Sequence, residues 1–100
     1  MIVHQGENVI IGTFFEATSG SFNLADYEVK MVVTNLRGEE KLTKENTNII
    51  RNDNDNTVAC TITGTETKTL NKGLYFVSFE LWANGQKVLS NDVEQLEVVA

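Results

Sequence analysis

The chain has 100 residues, the length of one domain, so we expect residues 1–100 to fold as a single unit. The apolar fraction of 41% and the charged fraction of 22% are ordinary for a folded protein. The formal net charge of −6, with eight scattered Lys and Arg residues, argues against a nucleic-acid partner, because phosphate binding requires clustered basic side chains.

The first half of the chain shows short patterns of alternating apolar and polar residues, which are typical of strands. Turn-forming residues separate these patterns, and no segment has the period of a helix. We predict a strand over 2–4, a strand over 9–15, a loop over 17–20, a strand over 27–34, a turn over 35–38 and a charged connection over 39–46.

The second half continues in the same way. We predict a short strand over 47–51, a polar loop over 52–56, a strand over 58–62, a helical turn within 63–69, a long strand over 75–81 and a last strand over 87–99. Asn84 and Gly85 both tolerate positive φ, which predicts a type I′ hairpin between the last two strands. The apolar positions of the last strand change phase, which predicts a bulge between Val93 and Leu96.

Gly73, two residues before Tyr75 at the start of an apolar strand, is typical of the tyrosine corner of immunoglobulin-like sandwiches. In that corner the tyrosine hydroxyl bonds to upstream backbone. Val77 stands where antibody domains have a cysteine, and Cys60 is the only cysteine, so no internal disulfide can form. We therefore predict an all-β, immunoglobulin-like antiparallel β-sandwich of about seven strands. Its expected core residues are Val9, Ile11, Phe15, Val29, Met31, Val33, Val58, Cys60, Ile62, Tyr75, Val77 and Phe79.

No group of residues carries chemistry by its sequence pattern. The acidic and amide loop over 52–56 suggests calcium, but Val58 and Gly64 stand where an EF-hand needs its glycine and its distal glutamate. A solvated hairpin loop is the simpler interpretation. His4 is the only histidine, and no Gly-x-Ser-x-Gly turn accompanies it. We expect no enzymatic activity, no cofactor and no metal.

Four outward apolar residues form the candidate partner surface, with Ile10 and Phe14 on one outward face and Phe76 and Trp82 on another. They alternate with residues assigned to the core, so they should point away from it. Such residues can be scattered surface apolars, or they can contact a partner chain. We expect contact with other protein subunits and self-association, and no membrane partner, since no apolar run approaches spanning length.

Three segments resemble the immunoglobulin-like N-terminal domains of bacteriophage baseplate upper proteins and related tail proteins. The Gln-Gly-Glu at 5–7 is similar to their Gln-Gly-Asp opening, and residues 23–29 resemble their Asp-Leu-Thr-Gly entry to the next strand. Residues 63–75 resemble their corner, with Asn71 where proline is common.

The resemblance implies a non-catalytic structural protein of a phage or prophage tail, with other tail or baseplate subunits as partners. It implies a location in the virion, or in the host cytoplasm during assembly, and the first residues show no signal peptide. The alternative is a cell-surface adhesive or carbohydrate-binding sandwich, in which Trp82 would stack on a sugar ring.

Overall fold

The computed structural model describes residues 1–16 and 22–100, so the predicted loop over 17–20 lies outside the described residues. Those residues form eight strands, one short α-helix and two 3-10 helical turns at Leu24–Asp26 and Asn46–Asn48. In chain order they are β1 (Ile2–His4), β2 (Val9–Phe14), β3 (Glu28–Asn35), β4 (Glu40–Glu45), β5 (Ile49–Asn52), β6 (Thr57–Ile62), α1 (Gly64–Thr69), β7 (Gly73–Ala83) and β8 (Gln86–Val99).

The strands form two sheets, which confirms the all-β sandwich. One sheet has five strands in the order β1-β8-β7-β3-β4, and the other has three in the order β2-β6-β5. The prediction that all strands pair antiparallel was wrong at one place, because β1 runs parallel to β8. The intervening strands of the domain supply the long connection that a parallel pair requires.

The core lies between the two sheets and confirms the predicted set. Of the twelve predicted residues eleven are buried, and Val9 is partly buried against them. The residues that complete the core cluster are Val3, Leu24, Ile49, Leu70, Leu81, Leu96 and Val98. Cys60 is a free thiol with no exposed surface, and burial raises its pKa, so it acts as a small apolar core residue.

The predicted charged connection over 39–46 is instead strand β4, which accounts for the eighth strand. This strand lies at the edge of the five-stranded sheet, and no strand within residues 1–16 and 22–100 pairs with its outer side. Its charged side chains suit that position, because charge at a sheet edge discourages pairing with other chains. Lys41 is an extra residue opposite the Val33–Thr34 step of β3, and this bulge distorts the edge further.

The last two strands have the predicted hairpin. Asn84 and Gly85 have φ of 53° and 75°, as a type I′ turn requires. The pairing of β7 with β8 skips two β8 residues, Val88 and Val93. The bulge at Val93 lies at the start of the predicted interval, whereas the bulge at Val88 was not predicted.

The corner before β7 has a hydrogen bond of its own, and the helix before it is bonded to the loop before β2. The Tyr75 hydroxyl donates to the Asn71 carbonyl at 2.7 Å, which confirms the tyrosine corner. In the preceding helix, the buried Thr67 hydroxyl donates to the Glu7 carbonyl at 2.8 Å and accepts from the Gly6 N–H at 3.0 Å. The segments at 5–7 and 63–75 thus hold each other in place, and their conspicuous residues are structural.

Replacing Tyr75 with Phe should lower the free energy of unfolding by about 0.5–1.5 kcal/mol, because one hydrogen bond is lost while the ring stays. Burial raises the pKa of the phenol, so the hydroxyl keeps its proton and donates throughout the neutral range. Urea titration of both proteins measures the difference. Tyr27→Phe is the control, and a Tyr75→Phe midpoint equal to that of the wild type would contradict the role of the corner.

Candidate partner surface

The outer side of the three-stranded sheet carries two of the predicted surface residues. Ile11 of β2 is buried, so its neighbours Ile10 and Phe14 point away from the core. Ile10 lies opposite Thr61 of β6, and Phe14 lies opposite Thr57. Both apolar side chains are well exposed, at 65% and 59%, which confirms their outward orientation.

A third large apolar side chain completes this surface and was not predicted. Ile50 of β5 is 66% exposed and lies opposite Ala59, which in turn lies opposite Gly12. Because Gly12 and Ala59 have little or no side chain, the centre of the surface is lower than the three large residues around it. Because Ile49 and Ile50 are adjacent, the sequence alone did not indicate which of the two side chains faces outward.

We call this surface the uncharged face, because none of its members has a charged side chain. It consists of Ile10, Gly12, Phe14, Ile50, Asn52, Thr57, Ala59 and Thr61. An antiparallel sheet with one side on a core normally has polar and charged residues on the other side. In a chain with a net charge of −6, an uncharged outer side with three exposed large apolar residues is the strongest candidate for a contact surface.

The other two predicted residues lie on the outer side of the five-stranded sheet and are not well exposed. Phe76 and Trp82 are both half-buried. Phe76 lies between Thr34 of β3 and Gln95 of β8, which cover its flanks. The structure therefore brings Ile10 and Phe14 together on one face and places Phe76 and Trp82 on the opposite side of the sandwich.

Trp82 belongs to a cluster of charged side chains. Its indole N–H donates to a Glu80 carboxylate oxygen at 2.9 Å, and the Lys30 ammonium lies 4.1 Å from its ring centroid. Glu80 is buried although it points to the outer side of the sheet, and it forms a 3.5 Å ion pair with Lys87. The polar end and one face of the indole are thus already engaged, which leaves less of Trp82 available to a partner.

The predicted hairpin loop over 52–56 lies between β5 and β6, although its first residue, Asn52, is the last residue of β5. The Asn52 side-chain oxygen accepts from the N–H groups of Asn54 and Asp55, at 3.1 and 3.4 Å. These bonds use the oxygen that a cation would need. Within residues 1–16 and 22–100, no three His, Cys, Asp or Glu side chains are grouped closely enough to hold a metal ion.

We expect calcium to leave the thermal melting temperature unchanged. A metal that bound only the folded chain, at 100 times its dissociation constant, would add about 2.7 kcal/mol to the free energy of unfolding. Melts recorded in millimolar calcium and in chelator should therefore coincide. A rise of several degrees in calcium, abolished in Asp53→Asn and Asp55→Asn variants, would establish a metal site in this loop.

The helices in the described ranges are short, and none has the length and apolar character needed to cross a membrane. Comparison with known proteins gives no match for this chain, either among family models or among curated proteins.

Proposed function

We propose that this chain is a non-catalytic structural domain of a phage or prophage tail, of immunoglobulin-like type, which joins protein subunits. The uncharged face is the observation that carries the proposal. Exposed apolar residues on a sheet without charge favour contact with another protein over contact with a small polar ligand or a phosphate backbone. The proposed partners are other tail or baseplate subunits, and the proposed location is the virion, or the host cytoplasm during assembly.

The sequence segments that resemble phage tail proteins support a non-catalytic role. Residues 5–7 and 63–75 contact each other and hold the corner before β7. These residues therefore maintain the fold, and the resemblance implies no catalytic residue among them. A domain whose distinctive residues maintain the fold, and whose outer surface offers apolar contact, suits an assembly role better than a catalytic one.

The alternative is a carbohydrate-binding sandwich, in which Trp82 would be the stacking platform. The cluster around Trp82 gives this alternative little support, since Lys30 lies over one face of the indole and Glu80 accepts its N–H. A sugar would have only the remaining face of a half-buried ring.

Co-purification with phage particles tests the proposed function. After prophage induction in the strain that encodes the chain, particles are separated on a density gradient and quantified by mass spectrometry. We expect the chain to migrate with the tail proteins at a fixed ratio. Its complete absence from purified particles would contradict the proposal.

Two matched variants connect this test to the uncharged face. Ile50→Lys places a charge on that face, whereas Val88→Lys changes an apolar residue of similar exposure on β8. Because Ile50 is 66% exposed and Val88 is 56% exposed, we expect the two substitutions to affect folding to a similar extent. We expect Ile50→Lys to reduce incorporation about tenfold or more and Val88→Lys to leave it near the wild-type level. Equal incorporation of the two variants would exclude the uncharged face as the contact.

A further inference from the structure

The two sheets have four edges, and three of them are protected against pairing with another chain. Strand β1 has only three residues. Strand β4 has charged side chains along its length and a bulge at Lys41. Strand β5 is four residues long and includes Arg51, whose guanidinium donates to the Leu24 carbonyl at 2.7 Å. Short strands, charges and bulges are the usual means of blocking an edge.

Strand β2 has none of these protections. It runs for six residues with neither charge nor proline, and its register with β6 is regular throughout. The Phe15 N–H donates to the Asn56 carbonyl at 2.9 Å, so odd-numbered residues direct their backbone groups toward β6. Because these groups alternate along a strand, Ile10, Gly12 and Phe14 direct theirs to the open edge. No strand among the described residues pairs there.

We propose that β2 pairs antiparallel with β2 of a second copy of this chain, with the two Gly12 residues opposite each other. In this register Ile10 lies opposite Phe14 of the partner subunit, and the reverse pair forms by symmetry. Each is a cross-strand pair of an aromatic and a β-branched residue, a combination that stabilises sheets. The two three-stranded sheets would become one sheet of six strands with a continuous uncharged face.

Among the ways in which two identical chains could approach each other, pairing at the β2 edge avoids the repulsion between like charges. Each copy has a net charge of −6, so association must occur where that charge is absent. The proposed register brings no like charges together, since Glu16 lies opposite Asn8 of the partner subunit. Pairing one short strand buries less than the ~1,000 Å² of a stable interface, so the dimer should be weak and should tighten as salt rises.

The β2 pairing rests on the proposed function, and it assigns to that function one partner, a second copy of this chain, and one edge. Sedimentation velocity of the whole chain from about 5 µM to 1 mM measures the association. We expect a reversible dimer with a dissociation constant in the range of about 10 µM to 1 mM. Ile10→Lys should raise that constant tenfold or more, because a lysine on an edge strand opposes pairing.

Ile50→Lys is the matched control, since Ile50 has the same exposure as Ile10 but lies on β5, away from the proposed edge. It should leave the dimer intact. Equal weakening by both variants would indicate that two sheets stack through the uncharged face, and a strict monomer at 1 mM would indicate no self-pairing; either result overturns the proposal. A chain that fails to dimerise but migrates with phage tails would retain the proposed function, so the two failures are distinguishable.

Disulfide cross-linking tests the register. A mixture of Ile10→Cys and Phe14→Cys chains should form a cross-linked heterodimer, because Cα atoms of a hydrogen-bonded antiparallel pair lie about 5.5 Å apart, within disulfide range. Each variant alone should cross-link far less, since its cysteines would be offset by four residues along the strand. Efficient cross-linking of either variant by itself, with no cross-linked heterodimer in the mixture, would overturn the register. The buried Cys60 thiol serves as an internal unreactive cysteine.

Discussion

Replacing Val77 with Asp should leave the chain without a cooperative unfolding transition. Val77 has no exposed surface and lies at the centre of β7, between β3 and β8. The substitution removes an apolar side chain worth about 1.5–3 kcal/mol of burial and introduces a carboxylate that has no partner in the core. A domain of this size has only about 5–15 kcal/mol of stability, and the combined loss should consume most of it.

Circular dichroism during heating measures this result. The wild type should show one sigmoidal transition, and Val77→Asp should show a gradual change or a disordered spectrum. Val88→Asp is the control, because Val88 is an exposed valine of the same sheet and should retain a transition close to that of the wild type. A normal transition in Val77→Asp would contradict the burial of Val77 in the core.

Replacing Glu66 with Ala should lower the free energy of unfolding by about 2–4 kcal/mol. The Glu66 carboxylate accepts from the Lys44 ammonium at 2.8 and 2.9 Å, and only 11% of the Lys44 side chain is exposed. It also accepts from the Thr63 N–H at 2.9 Å as half of a capping box at the start of α1. Alanine leaves both the helix end and a largely buried ammonium without their partner.

The stability lost in Glu66→Ala should be greater at neutral pH than at acid pH. Burial raises the pKa of Glu66, but the bonds from Lys44 and Thr63 outweigh it, and the pKa lies below its usual value. A carboxylate with a lowered pKa in the folded state stabilises above the unfolded value of about 4.3, and that contribution is lost as pH falls through the folded value.

Urea unfolding of the wild type and Glu66→Ala at pH 7 and pH 3 measures this dependence. The difference between the two proteins should be large at pH 7 and smaller at pH 3. Lys68→Ala, on the exposed side of the same helix, is the control and should change little at either pH. A difference of the same size at both pH values would show that the charge of Glu66 is not the source.

Much of the core was predictable because burial imposes a period of two on each strand. Tyr75, Val77 and Phe79 alternate in the sequence and are buried in the structure. Strand β4 was missed for the opposite reason: it is an edge strand in which Leu42 is the main apolar residue, and its charged positions resemble a loop. The choice of neighbouring strand produces no periodic pattern of residues, so the sequence did not indicate that β1 pairs parallel with β8.

The sequence predicted that the four candidate surface residues point away from the core, but it did not predict how exposed each side chain is. Alternation alone places Ile10, Phe14, Phe76 and Trp82 outside the core, and that orientation holds for each. How far each is exposed depends on residues that are distant in the sequence. Lys30 on β3 covers Trp82, whereas Gly12 and Ala59 leave Ile10 and Phe14 open. Only the strand register brings Ile50 onto the same face.

We propose that the uncharged face and its β2 edge join this chain to other protein subunits. Amide hydrogen exchange, recorded for the dilute free chain and for the chain within purified particles, measures this contact at single residues. We predict added protection in β2, at the amides of Ile10, Gly12 and Phe14, and little change in the charged strand β4. Protection confined to β4, or exchange in β2 that is equally fast in both samples, would contradict this role of the β2 edge.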